Sequence, residues 1–244
     1  MGNSPPVVTE FVDYTAKEET IRNCVILSTE AQQVEESTTI AAYALQRRFP
    51  KIRCYIVSIP FEDIQSTSDT IEFMRLCARV IREERERYRA QKIYLNIAGG
   101  RKNMSIIMVL LGQMLGVNGV FHVINRNVQV FNERLERLRY IIAQIHSTPN
   151  DNRRAEIYET HVRELEELMF PSISDYSVIR LPILPYPLEY LGEIIKVLKS
   201  NFTITTETKL KPRELEQLKT CGFIKLRRNR IIPTETGKEL AKLF

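Results

Sequence analysis

Apolar and polar positions switch between two periods along the first two thirds of the chain. Asn23 to Ser28 is a short apolar run between polar residues, the pattern of a buried strand. Thr38 to Phe49 carries Ile40, Ala41, Ala44 and Leu45 on one helical face. Ile52 to Ile59 is strand-like again. Asp69 to about Arg89 has a helical stripe of Ile71, Met74, Cys77, Ala78 and Ile81, with Thr67 and Ser68 as candidate caps. Its charged end, Arg82 to Arg87, reads as a solvated helix face. A third strand is predicted from Ile93 to Ala98, an apolar helix from Asn103 to Leu115, and a fourth strand from Val120 to Asn125. Strands alternating with helices of this length predict an α/β fold with a doubly wound, mostly parallel sheet.

Two amphipathic stretches follow, Phe131 to Ile145 and Arg153 to Met169, read as a helical insertion over 131–170 that serves packing or dimerisation. Ser177 to Leu184 predicts a fifth strand. Prolines 182, 185 and 187 then predict a stiff exit and a domain boundary near 186, giving domains 1–186 and 187–244. The start is unusual for this class. Gly2 to Pro6 reads as a loop entering a helix with Val7, Val8, Phe11 and Val12, yet no strand precedes it. A doubly wound sheet is expected to have its first, central strand there.

Composition is that of a globular protein, 43% hydrophobic and 27% charged. No apolar run of about 18 residues exists, so no membrane-spanning helix is expected. Nor does the start have the form of a secretory signal. Cys24, Cys54, Cys77 and Cys221 have no metal-ligand spacing and read as small buried hydrophobes. With only three histidines and no HExxH, no metal is expected; the whole fits a reducing cytoplasm. Charge changes the picture more. Residues 201–244 hold ten Lys/Arg and five Asp/Glu, so this segment carries the whole net charge of +5.

The chemistry concentrates at Ala98-Gly99-Gly100-Arg101-Lys102-Asn103-Met104, at the carboxyl end of the third strand. Two glycines let backbone approach a ligand closely, and the helix after them favours anions. Arg101 adds a planar fork for phosphate and Lys102 a mobile charge. The spacing is neither a Walker A loop nor GxGxxG, so no dinucleotide cofactor is expected. A plain glycine turn with a surface Arg-Lys pair accounts for these residues equally well.

That stretch resembles the signature of the CRISPR-associated Rossmann-fold (CARF) proteins, in the small branch with an Ala-Gly-Gly-Arg-Lys-Thr-Met motif. Ser4-Pro5-Pro6-Val7-Val8-Thr9-Glu10 is similar to that branch's Ser-Pro-Gln-Val-Val-Thr-Glu loop. Val25 to Thr29 is similar to its second strand, and Ile64 to Asp69 to its Ile-Arg-Thr-x-x-Asp. The resemblance spans roughly residues 2–125, with a fainter echo from Val178 to Leu184. Asn103 stands where the motif often has Thr.

The resemblance implies a cyclic oligoadenylate ligand, tetra-adenylate first, held across the two-fold axis of a homodimer. It further implies, in the ring-nuclease members, metal-free cleavage by a ribose 2′-hydroxyl. Ser4 and Lys102 would then be catalytic. Gly2, Asn3, Pro5, Thr29, Gly99, Gly100, Arg101, Asn103, Met104 and Asn125 would bind the ligand. Thr29 reads as well as a helix cap, and Asn125 with Arg126 as turn residues. His122 reads as a satisfied core histidine.

The C-terminal segment resembles a winged helix. Leu188 to Lys199 and Arg213 to Thr220 are amphipathic, and Phe223 to Ile232 is a hairpin with a basic tip before a last helix. Only Thr203 to Leu210 is free for the helix expected between the two, so the motif is degenerate. One reading is duplex DNA binding through Lys211, Arg213, Lys219, Arg227, Arg228 and Arg230, with Lys209 and Lys225 beside them. The other, slightly favoured, is a dimerisation or lid module with a solvated basic face. At this level a ring nuclease is the first reading, a ligand-gated transcriptional regulator the alternative, and a structural subunit the fallback.

Overall fold

A computed structural model describes residues 2–184, 187–201 and 203–242. The fold is mixed α/β and contains parallel strand pairs. It divides into two compact units. The first comprises residues 2–64, 94–106 and 119–182; the second comprises 65–93, 107–118 and the described residues from 183 on. The expected boundary near 186 falls on Pro185 and Tyr186, outside the described residues.

The first unit opens with helix α1 (Pro6–Thr15), where Pro6 suits a first-turn position that needs no amide hydrogen. Strand β1 (Asn23–Thr29), helix α2 (Gln32–Arg48) and strand β2 (Arg53–Ile59) form a crossover unit, and β1 and β2 pair in parallel from Asn23 opposite Arg53 to Thr29 opposite Ile59. Strand β3 (Tyr94–Asn96) pairs in parallel with β4 (Gly119–Asn125). The fifth strand, β5 (Tyr176–Leu181), runs antiparallel to β4.

These strands make two ladders, β1-β2 and β3-β4-β5; no hydrogen-bonded strand joins them among the described residues. Helix α1 serves both. Val7 and Phe11 pack with Val123 and Tyr176 of the three-stranded ladder and with Ala98 just past β3. Val8 and Val12, one position on, pack with Cys24, Leu45, Ile52 and Cys54. The i,i+4 rows of one helix therefore meet two sheets. Helix α5 (Val128–Ser147) packs on α2 through Leu135, Leu138, Ile142 and Ile145, against Ile40, Ala41 and Ala44. The stretch expected as one helix from Arg153 breaks at His161 into α6 (Asp151–Thr160) and α7 (Val162–Met169).

In the second unit, helix α3 (Thr67–Glu86) is capped by Ser66, one residue before its expected caps. Ser66 accepts from the Asp69 N–H, and Asp69 accepts from the Ser66 N–H, which satisfies two otherwise orphaned donors. In its charged end, Arg85 donates to the carbonyls of Leu115 and Gly116 rather than facing only solvent. Those carbonyls close helix α4 (Lys102–Met114), whose first turn belongs to the first unit.

The C-terminal part holds α8 (Leu188–Lys199), the two-residue strand β6 (Thr203–Ile204), α9 (Pro212–Thr220), β7 (Ile224–Arg227), β8 (Arg230–Pro233) and α10 (Glu235–Ala241). The three strands form an antiparallel sheet in the order β6-β8-β7. A single 3₁₀ turn, Thr205–Glu207, occupies the place of the missing helix. Leu198, Leu215, Leu218, Ile224 and Ile231 form the core of this part. No helix among the described residues is long and apolar enough to cross a membrane.

Candidate functional site

The glycine turn after β3 lies against the first loop of the chain. Gly2 sits so close to the Gly99 carbonyl that a Cβ on residue 2 would overlap it. Gly99 has φ +82°, a left-handed conformation that glycine adopts without strain. A Cβ there would also stand 2.8 Å from Val7 Cγ2. Both glycines are thus required by the approach of two backbone segments, whatever ligand the turn holds.

Asn96 fastens the arrangement. Its side-chain amide donates to the Val7 carbonyl at 2.7 Å, and its oxygen accepts from the Ala98 N–H at 3.0 Å. Sequence reasoning did not single it out; a polar residue inside an otherwise apolar strand was the available signal. Farther out, Asn3 donates to Gln33 at 2.9 Å, and Arg139 donates to the Asn3 carbonyl at 3.4 Å. Helices α2 and α5 therefore also hold the loop.

The first turns of α1 and α4 both begin at this place, and neither contains an acidic residue. Their partial positive charge adds to that of two cations. Arg101 is exposed and pairs with Asp63 at 3.3 Å. Lys102 is exposed at the first position of α4. Ser4 is half-buried and Pro5 buried, just before α1. Gly100 carries only loose neighbours, 3.9 Å from a notional Cβ.

Other expected ligand residues have structural work. Asn103 donates to the Ile64 carbonyl at 3.5 Å and accepts from the Met104 N–H at 2.9 Å. Met104 is buried in the core. Ser105, not singled out in the sequence, donates to the Ile97 carbonyl at 2.9 Å and ties α4 to the end of β3. Asn125 accepts from the Asn127 N–H at 2.8 Å. Arg126 donates to Ser177 and to the Ser174 carbonyl, which places it in a turn. Thr29 is buried at the end of β1, and its hydroxyl has no hydrogen-bond partner among the described residues.

Behind the first loop, Glu10 of α1 is buried at 2% exposure, with Oε1 unpartnered among the described residues. Burial raises its pKa to about 7. The Tyr176 hydroxyl is buried and unpartnered as well. Burial, with the charges of Asp13 and Glu10 behind it, pushes Tyr176 up to about 12. His122 differs from the satisfied core histidine expected: its Nδ1 is buried with no partner among the described residues. Not every cysteine is a buried hydrophobe either, since Cys221 is exposed.

The six candidate DNA-contacting residues Lys211, Arg213, Lys219, Arg227, Arg228 and Arg230 are all exposed. Lys219 pairs with Glu216 at 2.7 Å. Arg228, at φ +51°, forms the hairpin tip with Asn229.

Comparison with known proteins adds two findings. Residues 4–201 match the family described as CRISPR-associated protein NE0113 (Cas_NE0113). A CRISPR system ring nuclease of Saccharolobus solfataricus (strain ATCC 35092 / DSM 1617 / JCM 11322 / P2) is 29% identical over 129 residues, which are 51% of this chain and 68% of that relative.

Proposed function

The chain belongs to the CRISPR-associated protein NE0113 family, and we propose that it binds a cyclic oligoadenylate at the Gly99 turn and cleaves the ring without metal. The observation that carries this reading is the packing of Gly2 on the Gly99 carbonyl. It brings the Ser4 loop, two helix starts and the Arg101–Lys102 pair to one place, a constellation suited to a phosphodiester.

In this reading Gly2, Asn3, Pro5, Thr29, Gly99, Gly100, Arg101, Asn103, Met104 and Asn125 form one half of the binding surface. A second copy related by a two-fold axis supplies the other, since a ring ligand suits an isologous dimer. Residues 1–186 act as the ligand-binding, Rossmann-like CARF domain and 187–244 as a degenerate winged helix. A ribose 2′-oxygen attacks the neighbouring phosphorus, and the bond to the 5′-oxygen breaks. The products are a 2′,3′-cyclic phosphate and a 5′-hydroxyl. Ser4 holds the phosphate or the ribose in line, and Lys102 neutralises the developing charge or protonates the leaving oxygen. The setting is the cytoplasm.

A second reading rests on the exposed basic hairpin: a regulator that binds duplex DNA and is switched by the same ligand. Calorimetric titration with cyclic tetra- and hexa-adenylate tests the shared part. Saturable binding of either ring supports both readings, with the tetramer expected to bind tighter; no binding of either removes both.

A further inference from the structure

Two thiols that the proposed chemistry does not use stand side by side in the first unit. Cys24 of β1 and Cys54 of β2 are direct partners in the parallel register. Paired strands lie about 4.8 Å apart, inside the range of about 4.4–6.8 Å between Cα atoms that a disulfide spans. The two side chains also share a face. Both pack in the apolar cluster of Val12, Leu45 and Ile52, with Val8 and Phe49 around it. Neither is tied to another cysteine: all four in the chain are free thiols.

The pair is asymmetric in a useful way. Its members hydrogen-bond to each other. The bond to Cys54, together with burial, pushes the Cys24 thiol well above its ordinary range. The same bond, with Cys24 as donor, holds Cys54 below it. Both cysteines are half-buried, and each strand has a ladder neighbour on one side only among the described residues. Cys54 is therefore the thiol that gives up its proton more readily, with Cys24 directly opposite it in the register. The remaining cysteines make a built-in contrast. Cys77 is buried, its thiol pushed up to about 12 by burial, and Cys221 lies exposed in the other unit.

We propose that Cys24 and Cys54 form a thiol-modification site, in which a hydroperoxide oxidises the pair to a cross-strand disulfide and dithiol reductants reverse it. The Cys54 thiolate attacks one peroxide oxygen. The O–O bond breaks, Cys54 becomes a sulfenic acid, and the released hydroxide takes up a proton to form water. The Cys24 sulfur then attacks the Cys54 sulfur. The S–O bond breaks and a second water leaves with the Cys24 proton. Two thiols lose two electrons, and one hydrogen peroxide is reduced to two waters. A dithiol reductant reverses the bridge by thiolate attack through a mixed disulfide, which returns both thiols.

The test uses the full chain carrying Cys221→Ser, treated with a small excess of hydrogen peroxide. Mass spectrometry without reductant should show the loss of two hydrogens. Peptide mapping should find the Cys24–Cys54 linkage, thiol titration in denaturant should find two thiols fewer, and dithiothreitol should restore both. In Cys24→Ala the reaction should stop at a Cys54 sulfenic acid that dimedone traps. The mapping of the Cys24-containing chain decides the matter even where that variant does not fold. Full retention of thiols under peroxide that oxidises free cysteine would overturn the proposal, as would over-oxidised Cys54 beside an unreacted Cys24.

Discussion

The Asn96 side chain bridges the end of β3 and the first turn of α1, donating to the Val7 carbonyl at 2.7 Å. That one amide ties the end of β3 to the start of α1. Asn96→Ala would orphan the Ala98 N–H and remove the second bond to the Val7 carbonyl, which keeps its place in the α1 ladder, a cost of about 1–3 kcal/mol. Urea unfolding should show a loss of that size, with oligoadenylate affinity falling alongside it. An unchanged midpoint would mean that water replaces the bridge at no cost.

Gly99→Ala should be harmful for two separate reasons. A side chain at φ +82° is strained by about 1–2 kcal/mol, and its Cβ would meet Val7 Cγ2 at 2.8 Å. Gly116→Ala, at φ +61° but with nothing within 4 Å, carries the strain without the collision. Comparing the two by thermal unfolding isolates the contact. Equal destabilisation would show that Val7 yields freely.

Lys102→Ala should leave the fold intact, because the residue is an exposed helix start. It should weaken ring binding by about 1.5–3 kcal/mol, the range for a charge-assisted phosphate contact, or stop turnover. Binding by calorimetry and circular dichroism on the same sample check both halves. Wild-type affinity together with wild-type cleavage would remove Lys102 from the site.

Glu10 makes stability depend on pH with an unusual sign. Its folded pKa, about 7, lies above the ordinary 4.5. The folded state therefore holds the proton more tightly than the unfolded one, and stability falls as pH rises from about 4.5 to 7. The full loss is of the order of 3 kcal/mol, by about 1.4 kcal/mol per pKa unit. Glu10→Gln should flatten this slope and be the more stable form at pH 8. Parallel urea curves for both proteins from pH 5 to 8 give the answer; identical slopes would show that Glu10 is solvated.

The basic hairpin separates regulator from enzyme. A DNA-binding wing should lose log affinity by about 0.9 per phosphate contacted for each tenfold rise in salt. Replacing Arg227, Arg228 and Arg230 with Ala should then reduce both affinity and slope, with ring cleavage intact. If the part is a lid, duplex binding is weak from the start and deleting residues 187–244 alters ring turnover or product release. Tight, sequence-selective duplex binding that responds to the ring, with no cleavage, would favour the regulator.

Much of this fold was legible in hydrophobic spacing. The strands at Asn23 and Arg53 and the helices at Thr67 and Lys102 lie within a few residues of their expected places, because buried runs and apolar stripes mark them directly. Strand direction was not legible: nothing in Tyr176 to Leu181 says that it pairs antiparallel to β4. The break at His161 was hidden too, since the apolar spacing continues across it. At the site, Gly99 announced itself as a residue type. Asn96, Asp63 and Ser105 did not, because their importance lies in which distant atom each touches.

Ring cleavage is read by incubating the full chain with labelled cyclic tetra-adenylate and chelator, and resolving the products by chromatography. Linear products ending in 2′,3′-cyclic phosphate are expected, strongly reduced in Ser4→Ala and Lys102→Ala. A ring that stays intact at high protein concentration would contradict cleavage, and one that also stays unbound would contradict the site.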